Sequence, residues 1–167
     1  FLTRNCDHQI TANTPVEVKD SYSTWKLAAE YLLQEYSGPK TNLILASVLS
    51  PRLTIGAIPA FTRRILKEEP IKVTDTYRDY LNPNSFILGL TNLMESSEVL
   101  ETVVLGSGNP ISTHDLLNLT AQNLNKKMNQ INFELIEPKN NDPKKITLDP
   151  KWRQSLMFAE EDIEECV

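Results

Sequence analysis

Residues 21–48 carry the pattern that most limits what this chain can fold into. From 21 to about 36, apolar residues recur at Trp25, Ala28, Ala29, Leu32 and Leu33, the spacing of an amphipathic helix. Asp20 or Ser21 suits its N-cap, and Ser37-Gly38-Pro39 stops it. Residues 42–48 (Asn-Leu-Ile-Leu-Ala-Ser-Val) then form a short, nearly continuous apolar run, as expected of a buried parallel strand. A helix feeding such a strand is the closing unit of a doubly wound α/β sheet.

After residue 52 the character changes. The pattern predicts a helix over 56–67, with Pro59 near its start, where a missing N–H does little harm. Residues 71–74 read as a strand and 78–81 as a short extended piece. Asn82-Pro83-Asn84-Ser85 caps a helix over 86–94. A strand over 101–105 closes in Gly106-Ser107-Gly108-Asn109-Pro110, a strand-to-helix turn that lacks the Lys-Ser/Thr of a phosphate loop. Ser112 and Asp115 open a helix with Leu116, Leu117, Leu119, Thr120 and Leu124 on its apolar stripe. Residues 131–136 alternate as a strand, 140–145 read as a solvated loop, and 151–156 and 160–167 as helices. Residues 1–20 look irregular.

Composition excludes several classes. A length of 167 residues is enough for one domain with a core, and a net charge of -5 offers no basic stripe for nucleic acid. No apolar run approaches the ~20 residues that span a bilayer. Cys6 and Cys166 have no metal-ligand spacing around them, and His8 and His114 complete no zinc pattern. Two unpaired thiols suit a reducing cytoplasm. With 5 glycines in all, the chain holds no Gly-x-Gly-x-x-Gly turn for a dinucleotide.

The candidate chemistry lies on the first helix. Tyr22 and Lys26 are four apart, so a phenol and an ammonium share one face. A cation near a phenol favours the phenolate, and such a group can exchange a proton with an alcohol or carbonyl. The plainer alternative is a packed ring with a lysine reaching to water, which many helices show.

The surrounding text resembles the extended short-chain dehydrogenases/reductases, the NAD-dependent nucleotide-sugar epimerases and dehydratases. The matching phrases run in order: Tyr22-Ser23-Thr24-Trp25-Lys26 as YxxxK, a strand ending in Ser50-Pro51-Arg52, Tyr77-Arg78-Asp79-Tyr80, and Gly106-Ser107-Gly108. The resemblance implies a Rossmann-type α/β fold in which 1–52 is the end of the NAD(P)-binding domain and 53–167 a small sugar-nucleotide domain. The glycine-rich half and the catalytic Ser or Thr would lie upstream of Phe1, and this piece alone would be inactive. Tyr22 would exchange a proton with a sugar hydroxyl while NAD or NADP takes the hydride, and Lys26 would hold the nicotinamide ribose. Arg78 would contact the substrate diphosphate or base. Ser47 stands where the family has a substrate-binding asparagine; Ile44 and Ser50 replace the family's arginine and glycine. The resemblance also implies a homodimer through the YxxxK helix. Those replacements leave open a second possibility, a catalytically silent relative used as a binding or assembly module.

Overall fold

The computed structural model describes residues 9–18, 20–50, 52–139, 142–152 and 167. Beyond Lys151 and Trp152, which are helical, the expected helix over 151–156 lies outside the described residues. So do the acidic segment 160–166 and Cys6, His8 and Cys166.

Helix α1 (Ser21–Glu35) begins where the capping residues predict. Asp20 Oδ1 accepts from the Ser23 N–H at 2.7 Å, and Ser23 Oγ accepts from the Asp20 N–H at 3.0 Å. At the other end Lys40 Nζ donates to the carbonyls of Gln34 (2.5 Å) and Tyr36 (2.7 Å), satisfying groups that the helix leaves orphaned. The apolar run that follows does not make one strand. β1 (Asn42–Leu45) pairs in parallel with β6 (Thr102–Leu105), while β2 (Ser47–Val48) pairs in parallel with β5 (Tyr80–Leu81). The chain changes partner at buried Ala46, whose N–H still reaches Leu105 O at 2.9 Å. β1 is half-buried at every position rather than enclosed, because among the described residues it pairs with β6 alone.

A second packed unit forms from α2 (Ala57–Leu66), β3 (Ile71–Thr74), α4 (Thr113–Asn123) and β8 (Phe133–Ile136). β3 and β8 are parallel, in register from Ile71 opposite Phe133 to Thr74 opposite Ile136. Ile71 and Val73 point inward against Phe61, Ile65, Leu117 and Ala121, while Lys72 between them faces out. α4 starts at Ser112, whose Oγ accepts from the Asp115 N–H at 2.9 Å, and closes through Asn125 in the left-handed region at φ 57°. α3 (Pro83–Glu95) begins three residues before the expected start, because Asn82 caps it and Pro83 fits its first turn.

Two segments read as irregular or solvated are tied into the sheets. β4 (Tyr77–Arg78) pairs antiparallel with β7 (Ile111–Ser112) on one side. On the other, Tyr77 bridges Lys145, with the Tyr77 N–H to Lys144 O at 2.8 Å and the Ile146 N–H to Tyr77 O at 3.0 Å. Ile10 bridges Leu148, and both side chains are buried with Ala46, Leu81, Val103, Val104 and Leu105. That cluster joins residues from both sides of position 52. No helix among the described residues is long and apolar enough to cross a membrane.

Candidate functional site

A cavity of about 400 Å³ opens between the end of α1, the mouth of the β1–β6 pair and the bridged segments. Ile10, Ala12, Thr14 and Val16 form one wall, and Glu30 and Gln34 of α1 another. Asn42, Ile44 and Leu45 of β1 also line it, together with Ser47, Arg78, Asp79, Ile146 and Leu148. The cavity therefore brings together Ser47 and Arg78, which the sequence places 31 positions apart. Ser47 also borders a second hollow of about 310 Å³, with Gly56, Ala57 and Tyr80.

Arg78 is held firmly. Its side chain is 22% exposed; Nη2 donates to Asp142 Oδ1 at 2.8 Å, and Nη1 to the carbonyls of Tyr77 and Pro143, both at 2.9 Å. Charge-assisted bonds of this kind orient the planar fork, and the partner it has here is itself a carboxylate. Beside it, Tyr80 is half-buried, and burial pushes its phenol above the ordinary value of 10.0 while the Arg78 charge pulls the other way. Lys144, on the segment that Arg78 grips, bonds Asp75 Oδ2 at 2.6 Å, and that carboxylate raises its ammonium above 10.5.

Tyr22 and Lys26 are not in the cavity wall. Both are exposed, Tyr22 at 56%. They do lie on the same ridge as Glu30 and Gln34, each four residues from the next, so the ridge climbs out of the cavity to Lys26 and then Tyr22. Each step of four advances about 6 Å along the axis, which puts the phenol roughly 12 Å beyond Glu30. His114 sits where the cap region predicts, 45% exposed, with its ring tilted against Phe133 at a centroid distance of 5.4 Å. Arg64 donates to Pro70 O at 2.7 Å, so it staples the end of α2 to the entry of β3 as well as lining the solvated face.

Sequence reasoning missed Asp79. Its side chain is 3% exposed and accepts four hydrogen bonds: from the Ser107 N–H (2.9 Å), Ser107 Oγ (2.6 Å), the Gly108 N–H (3.0 Å) and the Leu148 N–H (2.9 Å). The partners lie 28, 29 and 69 positions away, so no local spacing signals them. The available hint was its place in the Tyr77-Arg78-Asp79-Tyr80 phrase, inside a piece read as extended. The glycines around it have a matching cause. A Cβ on Gly106 would collide with Leu148 Cβ and stand 3.1 Å from Asp79 Oδ2, and Gly108 has φ 76°, where L side chains are strained.

Parallel strand pairs with covering helices define an α/β fold of the Rossmann type, with the cavity running along β1. The Bordetella bronchiseptica enzyme WbmG, solved with NAD and UDP, superposes with a TM-score of 0.84 at 23% identity, over 94% of this chain and 51% of its own. The UDP-glucuronic acid 4-epimerase of Bacillus cereus, solved with UDP-glucuronic acid and NAD, superposes at 0.82 with 16% identity, over 99% and 57%. The Thermus thermophilus UDP-glucose 4-epimerase, solved with NAD, gives 0.77 with 20% identity, over 96% and 55%. The chain thus has a fold found in these enzymes and spans about half their length. No protein-family model matches the sequence, and no curated protein matches it.

Proposed function

We propose that this chain is the carboxyl-terminal part of an NAD(P)-dependent nucleotide-sugar epimerase or dehydratase acting in the cytoplasm, with residues 1–52 ending the dinucleotide domain and 53–167 forming the sugar-nucleotide domain. The observation that carries this reading is the convergence of Ser47 and Arg78 on one cavity that α1 borders at Glu30 and Gln34, with Lys26 and Tyr22 outside it on the same ridge of that helix. Solved proteins of the same fold hold NAD together with UDP or a UDP-sugar, which supports the same ligands here.

The donor set suits a nicotinamide ribose and a sugar hydroxyl. An ammonium at Lys26 and a phenol at Tyr22 stand exposed one turn apart, able to donate to and accept from paired hydroxyls. When bound, the dinucleotide supplies hydride transfer, which no side chain can. Lys26 holds the ribose and places positive charge beside the phenol. Tyr22 would be the group that takes a proton from the sugar hydroxyl and gives it back. Arg78 neutralises the diphosphate, with Asp142 exchanging its place at the fork for a phosphate oxygen. Ser47 contributes a hydroxyl to the cavity lining. This half alone is inactive, because the group that takes hydride is held mainly by residues outside it.

The catalytically silent alternative is favoured by one observation. Ile44 and Ser47 line the cavity where the resembled family carries arginine and asparagine, so the site has lost polar grip. In either case the outward side chains of Trp25, Tyr31 and Leu32 on α1 fit a homodimer contact.

Titration of the intact protein with NAD(H) and NADP(H), followed by turnover of UDP-, dTDP-, GDP- and CDP-sugars, tests the reading. Lys26→Ala is expected to weaken dinucleotide binding. Tyr22→Phe is expected to leave binding intact and lower turnover by at least about a hundredfold, as loss of an acid–base group does. An intact protein that binds no dinucleotide overturns the enzyme and leaves the binding module.

A further inference from the structure

We infer that Asp79 is the positioning residue of this cavity. Its buried carboxylate fixes the 106–108 turn and the 146–149 segment so that neighbouring Arg78 presents its guanidinium in one orientation. The inference rests on the reading of Arg78 as the anion-binding group.

Asp79 sits at the break between β4 and β5, which pair with different partners. Its carbonyl accepts from the Ser47 N–H at 3.3 Å, so its backbone also touches the other cavity residue. A carboxylate taken out of water is tolerated only where donors replace that water, and four of them do so here. Two adjacent residues then hold one segment at two points. Asp79 takes the N–H of Leu148, and Arg78 takes the Pro143 carbonyl and the Asp142 carboxylate. Tyr77 bridges that segment between them through Lys144 O and the Ile146 N–H. Releasing Leu148 slackens the segment against which the guanidinium is braced. Asparagine has nearly the shape of aspartate but turns one acceptor oxygen into an NH₂ that faces N–H donors, so it breaks this brace without changing volume.

UDP is the probe, titrated calorimetrically into the intact protein and into Arg78→Gln, Asp79→Asn and the double variant, with amide exchange followed at Ile146 and Leu148. Asp79→Asn is expected to weaken UDP binding on the order of tenfold and to speed exchange at both amides. Added to Arg78→Gln it is expected to cost nothing more, since a residue acting through another is silent once that other is gone. Thr120→Val, which removes a buried hydroxyl bonded to Leu116 O inside α4, serves as a variant that destabilises without touching the segment; its UDP affinity should stay at the native value. Additive losses in the double variant overturn the inference, as does an equal loss in Thr120→Val. If Asp79→Asn does not fold, Ser107→Ala removes one of the four donors and takes its place in the same cycle. If the native protein does not bind UDP, the sugar-nucleotide reading falls by itself. Exchange then decides the brace: unchanged rates at Ile146 and Leu148 in the Asp79 or Ser107 variant overturn it.

Discussion

Helices α1 and α4 look alike in sequence and differ in the folded chain. Each starts at a side-chain cap and repeats apolar residues every three or four positions. In α4 the stripe is buried: Leu116, Leu117 and Ala121 are each 0% exposed. In α1 the one buried residue is Ser23, while Trp25 is 75% and Leu32 72% exposed. The lesson concerns what periodicity means. It shows that a helix has an apolar face, but whether that face is covered depends on what the rest of the molecule brings to it. α4 lies against β3 and α2. α1 presents its large apolar side chains outward, on the helix that also carries Tyr22 and Lys26.

The largest test of this contrast is a pair of truncations in the 167-residue chain. Leu117→Ala is expected to lower the unfolding free energy by about 2–5 kcal/mol, the cost of a cavity in a packed core. Leu32→Ala should stay within about 0.5 kcal/mol. Urea titration of both variants checks this, and equal losses would break the comparison by showing that the α1 face is covered in solution.

Removing the caps sharpens it. Ser112→Ala is expected to cost about 1 kcal/mol of global stability, because α4 and the core form together. Asp20→Ala should reduce the helical circular dichroism at low temperature while leaving the main melting midpoint nearly in place, since little of the core rests on α1. A shared drop in midpoint would show the two helices to be one cooperative unit.

The smallest effect is in pH, where the two regions respond at opposite ends. Hydrogen bonds from the Ser23 N–H and hydroxyl hold Asp20 below its ordinary 3.8. The cap of α1 therefore contributes above 3.8 and is lost as pH falls through the lowered folded value. Tyr80 is raised above 10.0 by burial, and Lys144 above 10.5 by Asp75. Their contributions are complete below those values and are lost as pH rises through the raised ones. Circular dichroism in acid should thus report α1 loosening first. In alkali, the tyrosinate absorbance lost on Tyr80→Phe, read as the difference from the native chain, should develop above pH 10.

Much of the fold was legible because it is decided within a few residues. Asp20, Asn82 and Ser112 cap helices through bonds to N–H groups two or three positions on. The alternation of Ile71, Lys72 and Val73 marks a strand with one buried face. Ser47 and Arg78 both line one cavity, which no local spacing places them in. Less was legible where one run serves two partners: residues 42–48 read as one strand, and the switch at Ala46 follows from where β6 ends and β5 begins.

The sequence by itself determined where α1 and α4 begin, which faces are apolar, and that a phenol and an ammonium share one ridge of α1. Those properties depend on side chains at most four positions apart and on the fixed periods of the backbone. Only the tertiary structure decided that Ile10 pairs with Leu148, that Asp79 is buried under donors up to 69 positions away, and that Trp25 and Leu32 face outward. Burial is a property of the whole surface, and a charged group becomes tolerable inside only when distant donors arrive to replace its water. No spacing along the chain encodes that arrival.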